Sequence, residues 1–145
     1  MMEAKVRWTE AMQFVGISGS SHALVMDTGP DHGGKDTAAT PMELLLIALA
    51  GCTGMDVVSL LKKMRVNFSG LEINVRAERR DEHPRVFTGI ELEYVVLGTG
   101  IDRAAVQRAV ELSQEKYCSV RAMLRPDCPV SFRITILENT GGSNA

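Results

Sequence analysis

Aromatic residues are scarce in this chain of 145 residues, and basic residues are not in excess. Aromatics make up 5% of the residues, with one Trp, which argues against a platform that stacks nucleic-acid bases. Sixteen Lys and Arg stand against 18 Asp and Glu, and the resulting net charge of -2 is not that of a protein with a basic face. Nucleic acid is therefore not an expected partner.

Long hydrophobic runs are lacking as well. The longest, residues 44–50, is far below the roughly 18 residues that a membrane-spanning helix needs. The first residues alternate charged and apolar side chains, which is not the pattern of a signal peptide. We therefore expect a soluble, cytoplasmic protein without a membrane partner.

Cysteine is also rare, with three residues, and the odd count excludes a fully paired disulfide scaffold. In a reducing compartment, thiols are free, metal-bound or catalytic. The remaining composition, 45% hydrophobic and 23% charged, is that of an ordinary globular domain. We expect one domain over residues 1–138, followed by a disordered Gly/Ser/Asn tail at residues 139–145.

Alternation of apolar and polar residues, together with turn-rich segments between apolar runs, predicts strands at six places. These are residues 4–8, half-buried by their alternation, and residues 12–17, 22–26, 71–78, 87–97 and 130–136. Two short helices are predicted before the last strand, one capped by Asp102 and ending near Tyr117, the other capped by Ser119 and covering residues 120–124. A Gly-rich loop is predicted at residues 27–39. Strands and helices in separate runs favour an α+β fold.

A longer helix is predicted from Pro41 to about Arg65. Thr40 at the N-cap, Pro41 at the first position and Glu43 at the third form a capping box. The first half of the helix is apolar on every side, and such a helix is buried all round. Its own sheet can cover one side, so a second subunit is expected on the other, in a homodimer.

Cys52 lies within this helix, between Gly51 and Gly54. Each glycine inside a helix costs roughly 1 kcal/mol against alanine, a cost that close packing or ligand access can explain. Two interpretations stay open for the thiol: a small hydrophobic core residue, or a reactive group.

Cys118 precedes a predicted helix, whose free N–H groups and dipole would stabilise a thiolate. A core thiol at a helix junction is the alternative. Cys128 enters the last strand and is interpreted as structural or incidental. His22, His32 and His83 fall in turns or at a strand end, away from metal-ligand spacings, so we predict neither a metal site nor a cofactor.

Two segments resemble the motifs of the OsmC/Ohr family (osmotically induced protein C and organic hydroperoxide resistance). Residues 41–53, PMELLLIALAGCT, are similar to its central helix, and residues 112–120, LSQEKYCSV, to its second cysteine motif. The resemblance covers residues 4–137 and is greatest for the YhfA-like branch. It implies an OsmC-like α+β fold, with antiparallel sheets packed on a long central helix in an intertwined homodimer.

The resemblance also implies an activity, the reduction of organic hydroperoxides by thiols in oxidative and osmotic stress defence. Cys52 would attack the peroxide and become a sulfenic acid, and Cys118 would resolve it as a disulfide. A dithiol reductant would restore both thiols. The resemblance implies no metal and no flavin.

The chain departs from the family at the groups that activate the first cysteine. Family peroxidases carry a Glu directly after the Pro that opens the helix, where this chain has Met42; Glu43 falls nearly opposite Cys52 on the helix. They also use an N-terminal Arg, and this chain has none between Arg7 and Arg65. Lys35 is a possible substitute without the planar fork of Arg. Asp56, one turn after Cys52, would oppose a thiolate.

These departures leave two further functions open besides the peroxidase. The first is a non-catalytic dimer on the same fold that binds a small ligand or senses redox state. The second is a structural module with inert thiols.

Overall fold

A short antiparallel sheet forms the first part of the chain. In the computed structural model, which describes residues 1–139, its strands are β1 (Ala4–Glu10), β2 (Gln13–Ser18) and β3 (Ala23–Met26). Strands are predicted at these three places, and they pair in the order β1-β2-β3. Every residue of β1 is exposed, so the expectation of a half-buried strand is wrong there. Apolar and polar residues do alternate in β1. However, β1 is an edge strand, and no described residue packs closely enough on its apolar face to bury it.

The loop after β3 is organised around the carboxylate of Asp27, which is 3% exposed. It accepts hydrogen bonds from the backbone N–H groups of Thr28 (2.7 Å), Lys35 (3.4 Å) and Thr37 (3.1 Å), and from the Thr37 hydroxyl (2.5 Å). These donors, the Thr37 hydroxyl first, lower the pKa of Asp27 to about 2. The Gly-rich loop is therefore an ordered structure with a charged centre.

Helix α1 runs from Pro41 to Lys63 and begins at the predicted capping box. The Thr40 N–H donates to the Glu43 carboxylate at 2.9 Å, and the Glu43 N–H donates to the Thr40 hydroxyl at 3.2 Å. The helix ends two residues before the predicted boundary, where Arg65 takes a left-handed φ of 57°. Glu43 is thus engaged at the helix N-terminus, as its position in the box predicts.

Only one side of α1 is buried within the single chain. Leu49, Thr53, Val57 and Leu61, four residues apart, form the buried stripe. On other sides, Ile47 is 60% exposed and Met55 is 77% exposed. By length and composition the whole helix could cross a membrane, although its uninterrupted apolar run is short. The cover for the exposed side stays a prediction.

A second sheet follows α1. Strands β4 (Phe68–Arg79) and β5 (Phe87–Gly98) are antiparallel, and β6 (Val130–Glu138) runs parallel to β5. The sheets are therefore antiparallel with the exception of β6, which arrives through a helical crossover. The crossover contains α2 (Arg103–Leu112), capped by Asp102 as predicted, and α3 (Ser119–Met123). Alternate residues of β5 make the core face: Ile90, Leu92, Tyr94 and Val96.

The chain divides into two compact units, Met1–Leu46 and a second that begins at Ile47. The single domain over residues 1–138 stays a prediction. Residues 140–145 of the predicted tail lie outside the described part of the chain. Its first residue, Asn139, belongs to the second unit, where its N–H donates to the Gly98 carbonyl at 2.7 Å.

Candidate functional site

Two thiols and a carboxylate meet where α1 faces the junction between α2 and α3. Cys52 and Asp56 are one helical turn apart and therefore lie on the same side of α1. Cys118 stands at the start of α3. The Sγ atoms of both cysteines and a carboxylate oxygen of Asp56 all lie within 4.8 Å of one another. The fold thus brings together two cysteines that no local motif connects.

A π-type turn positions Cys118. After α2 the helix continues as one wider, π-type turn over Ser113–Tyr117, and the Cys118 N–H donates to the Ser113 carbonyl at 2.8 Å. The Cys118 Sγ accepts from the Arg121 N–H at 3.4 Å. Cys118 is therefore the N-cap of α3, and the assignment of the cap to Ser119 is wrong. Serine is the commoner cap, but α3 begins at Ser119, one residue before its predicted start, so the cap position falls on Cys118.

A buried chain of hydroxyl groups leads to Asp56. The Ser113 hydroxyl donates to Oδ2 of Asp56 at 2.8 Å. With its hydrogen committed there, Ser113 accepts from Thr53 at 2.7 Å, and Thr53 in turn accepts from the Tyr94 hydroxyl at 2.7 Å. The Gln114 amide donates to both Thr53 and Tyr94, at 3.1 and 3.0 Å. The chain of hydroxyl groups thus ends at the carboxylate, where the Ser113 hydroxyl is the donor that contacts Asp56.

This hydrogen-bond network is not evident from the sequence. Ser113 follows α2 at helical spacing from its buried residues, and that spacing does not reveal its hydrogen-bond partner. A polar pair did exist in the sequence, since Thr53 and Asp56 interrupt an otherwise apolar helix three residues apart. Thr53 belongs to the buried stripe of α1, and a buried hydroxyl requires hydrogen-bond partners, which here come from other elements.

Burial raises the pKa of the Cys118 thiol to about 11. The Arg121 N–H opposes the rise, while the nearby Cys52 and Asp56 add to it. The expectation that a helix N-terminus holds Cys118 as a thiolate is therefore wrong. Helix α3 has five residues, and its free N–H groups do not outweigh burial beside a carboxylate.

The other candidate residues lie elsewhere. Cys128 is 5% exposed and outside the cluster, with its Sγ 4.0 Å from the Pro129 carbonyl. Lys35 pairs with Glu10 at 3.8 Å within the first unit. His22 bonds to the Ser20 hydroxyl at 2.9 Å. The structural interpretation of Cys128 fits its burial.

The two helical glycines have different surroundings. A Cβ on Gly54 would lie 3.1 Å from Cδ1 of Ile73, so this glycine allows α1 to approach β4 closely. A Cβ on Gly51 would meet open space. Between α1 and β4 lies an open groove of about 700 Å³, lined chiefly by Ala50, Gly54, Met55, Val58, Leu71 and Ile73.

This fold, an α+β chain with two small sheets and one long apolar helix, is shared by several solved structures. A hypothetical protein from Aquifex aeolicus is 30% identical with a TM-score of 0.79, over 95% of this chain and 98% of that one. An organic hydroperoxide resistance protein OsmC from Legionella pneumophila has a TM-score of 0.71 at 14% identity, over 93% of this chain and 96% of that one. At that identity the likeness concerns the fold alone.

Sequence comparison identifies the family. The profile of the OsmC-like protein family matches residues 33–133. Protein YhfA of Escherichia coli K12 is 46% identical over 123 residues, which are 85% of this chain and 89% of YhfA. The chain belongs to the OsmC-like family, and the resemblance found in its two cysteine motifs is confirmed. Helix α1 is long and apolar enough to cross a membrane, but the core helix of a soluble protein passes the same test of length and composition.

Proposed function

We propose that this protein is a thiol-dependent peroxidase that reduces organic hydroperoxides through Cys52 and Cys118, in defence against oxidative and osmotic stress. The observation that carries the proposal is the approach of the two Sγ atoms to within 4.8 Å. Structural relatives named organic hydroperoxide resistance proteins, from Legionella pneumophila and Bacillus subtilis, support the substrate class.

The difference in exposure between the two thiols suggests their roles. Cys52 is half-buried and reachable, whereas Cys118 is 4% exposed. We assign Cys52 to the attack on peroxide. Its thiolate sulfur bonds to one peroxide oxygen, the O–O bond breaks, and the alkoxide leaves and takes a proton to become the alcohol. Cys52 is then a sulfenic acid.

Cys118 completes the reaction in this proposal. Its sulfur attacks the Cys52 sulfur, the S–O bond breaks, and hydroxide leaves and takes a proton as water. One hydroperoxide and two thiols thus give one alcohol, one water and a disulfide. Asp56 lies beside Cys118 and is placed to accept the thiol proton as the disulfide forms. A dithiol reductant then restores both thiols by exchange.

The active form in this proposal is a cytoplasmic homodimer. The exposed side of α1 carries Ile47, Gly51 and Met55, and a second copy would remove this apolar surface from water. Open space at the Cβ position of Gly51 leaves room for a closely approaching helix. Substitution of Met55 by Asp would place a charge at that contact, and light scattering should then report a monomer where the wild type gives a dimer.

The activity is tested by turnover of cumene hydroperoxide with a dithiol reductant, followed by intact-mass analysis. Cys52→Ser should abolish turnover, and Cys118→Ser should stop after one equivalent with Cys52 oxidised. Cys128→Ser is the matched control, because this buried cysteine lies outside the cluster, and it should keep wild-type turnover. Lack of turnover in the wild type, with Cys52 unmodified at excess peroxide, would reject the proposal.

A second candidate is a non-catalytic dimer that binds a small apolar ligand or senses redox state. It is favoured by the groove of about 700 Å³ and by the raised pKa of Cys118. In that case Cys52→Ser should bind a fluorescent apolar probe as well as the wild type does, and neither protein should turn over peroxide.

A further inference from the structure

We infer that the reduced protein binds a thiophilic divalent cation, of which Zn²⁺ is the best fit, through Cys52, Asp56 and Cys118. Among the described residues, these three form the one group of Cys, His, Asp and Glu side chains close enough to share an ion. Sequence spacing predicted no such site, since the ligands come from two separate helices. The inference does not depend on peroxidase activity.

The geometry of the group fits a tetrahedral ion. Zn–S bonds of about 2.3 Å and Zn–O bonds of about 2.1 Å place tetrahedral ligand atoms about 3.6–3.8 Å apart. The three ligand atoms lie within 4.8 Å of one another, so each pair has to close by no more than about 1.2 Å, which side-chain rotation can supply. Three protein ligands leave the fourth position to water, the pattern of an open zinc site.

The ligand chemistry selects the ion. Thiolates favour Zn²⁺ and other soft cations, whereas Mg²⁺ and Ca²⁺ prefer sites made only of oxygen ligands. A divalent ion also compensates the negative charge that two thiolates and a carboxylate would otherwise concentrate at one point. The site stays reachable, because Cys52 and Asp56 are only half-buried.

A second layer of contacts holds the carboxylate in place. Oδ2 of Asp56 accepts the Ser113 hydrogen bond, and Ser113 is itself bonded to the buried Thr53. Hydrogen bonds of this kind orient the ligands of metal sites and raise their affinity. As an ion binds, each cysteine sulfur exchanges its S–H bond for a bond to the metal and gives its proton to solvent.

The test uses reduced full-length protein without peroxide. Co²⁺ is added under anaerobic conditions, and the thiolate-to-cobalt charge-transfer band is followed in the near ultraviolet, then displaced by Zn²⁺. We expect a band in the wild type and in Cys128→Ser, where the site is intact. Cys52→Ser and Cys118→Ser should lower the affinity by more than about 100-fold, and Asp56→Asn by about 10-fold or more.

Several results would overturn the inference. They are a wild type without the band at saturating Co²⁺, loss of the band in Cys128→Ser, or unchanged affinity in Asp56→Asn. Because a serine variant could fail to fold, a second measurement uses the wild type alone. Because a metal-bound thiol does not react, saturating Zn²⁺ should slow the alkylation of Cys52 at least 10-fold, whereas Mg²⁺ should leave the rate unchanged. Equal alkylation rates with and without Zn²⁺ would also refute the site.

Discussion

Two carboxylates, Asp27 in the first unit and Asp56 in the second, stand in opposite surroundings. Asp27 is enclosed by four neutral hydrogen-bond donors, three of them backbone N–H groups, and its pKa falls to about 2. Asp56 receives one hydroxyl donor and lies beside two thiols, where it contributes to the raised pKa of Cys118. The first arrangement fastens a loop, whereas the second leaves a charge available to a neighbour.

The two carboxylates differ in how much hydrogen-bonding capacity they have left. A carboxylate whose lone pairs are satisfied by the backbone has little capacity left for a substrate or an ion. One held at a single oxygen, beside nucleophilic sulfurs, keeps that capacity. We therefore expect changes around Asp27 to affect stability, and loss of the Asp56 charge itself to affect thiol reactivity more than stability.

The largest expected effect concerns the backbone around Asp27. Gly34→Ala would drive a Cβ into the Thr28 carbonyl and crowd the Asp27 carboxylate, and backbone cannot move aside cheaply. We expect a loss of about 3 kcal/mol or more in the free energy of unfolding, measured by urea denaturation. Gly29→Ala is the matched control, since its Cβ meets nothing within 4 Å and its φ is -74°. Equal losses in both variants would show that the loop does not need this close approach.

A smaller loss is expected from the hydroxyl chain near Asp56. Ser113→Ala removes the link between Thr53 and Asp56 and leaves a buried partner without its hydrogen bond. The free energy of unfolding should fall by about 1–3 kcal/mol in urea denaturation. Ser131→Ala, at an exposed position of β6, should stay within about 0.5 kcal/mol. A Ser113 variant as stable as its control would contradict the network.

Acid should act on the first carboxylate. Asp27 has a pKa of about 2 when folded and 3.8 as an ordinary carboxyl, so between these values the unfolded chain binds the proton more readily. The stability that Asp27 supplies is therefore complete above about pH 3.8 and is lost as the pH falls toward 2. Melting temperatures of the wild type and Asp27→Asn should converge over that interval. A constant difference across it would argue against the donor cage.

The smallest expected effect is a shift in the pKa of Cys118 when the Asp56 charge is removed. Asp56→Asn removes a negative charge near Cys118, so the pKa of that thiol should fall, though it stays above its ordinary value because burial is the larger cause. The pH profile of Cys118 alkylation should shift to lower pH, with little change in melting temperature. Asp127→Asn, an exposed control away from the cluster, should leave the profile in place. A shift to higher pH would contradict the proximity of Asp56.

Local patterns predicted the elements well, because each depends on neighbouring residues. The Thr40 and Glu43 capping box, the Asp102 cap and the alternation of β4 and β5 all appear where the sequence places them. Errors occurred where a remote element decides the outcome. Alternation could not show that β1 stays exposed, and a serine preference could not show that a π turn makes Cys118 the cap.

The candidate site divides in the same way. The motifs around Cys52 and Cys118 identified the family and singled out these two cysteines, since both motifs are continuous in sequence. Three features depend on packing between α1, β5 and the α2–α3 junction: the approach of the two sulfurs to within 4.8 Å, the nearness of Asp56 to both, and the hydroxyl chain from Tyr94. Periodicity carries no information on such distances.

The sequence by itself determined the α+β class and the helix around Cys52, and it singled out two of the three thiols as candidates. Only the tertiary structure decided which groups surround those thiols. The physical reason is that hydrogen-bond caps and hydrophobic periodicity act over a few residues, whereas the pKa of Cys118 and the ligand set around it are set by burial and by charges that approach from distant parts of the chain.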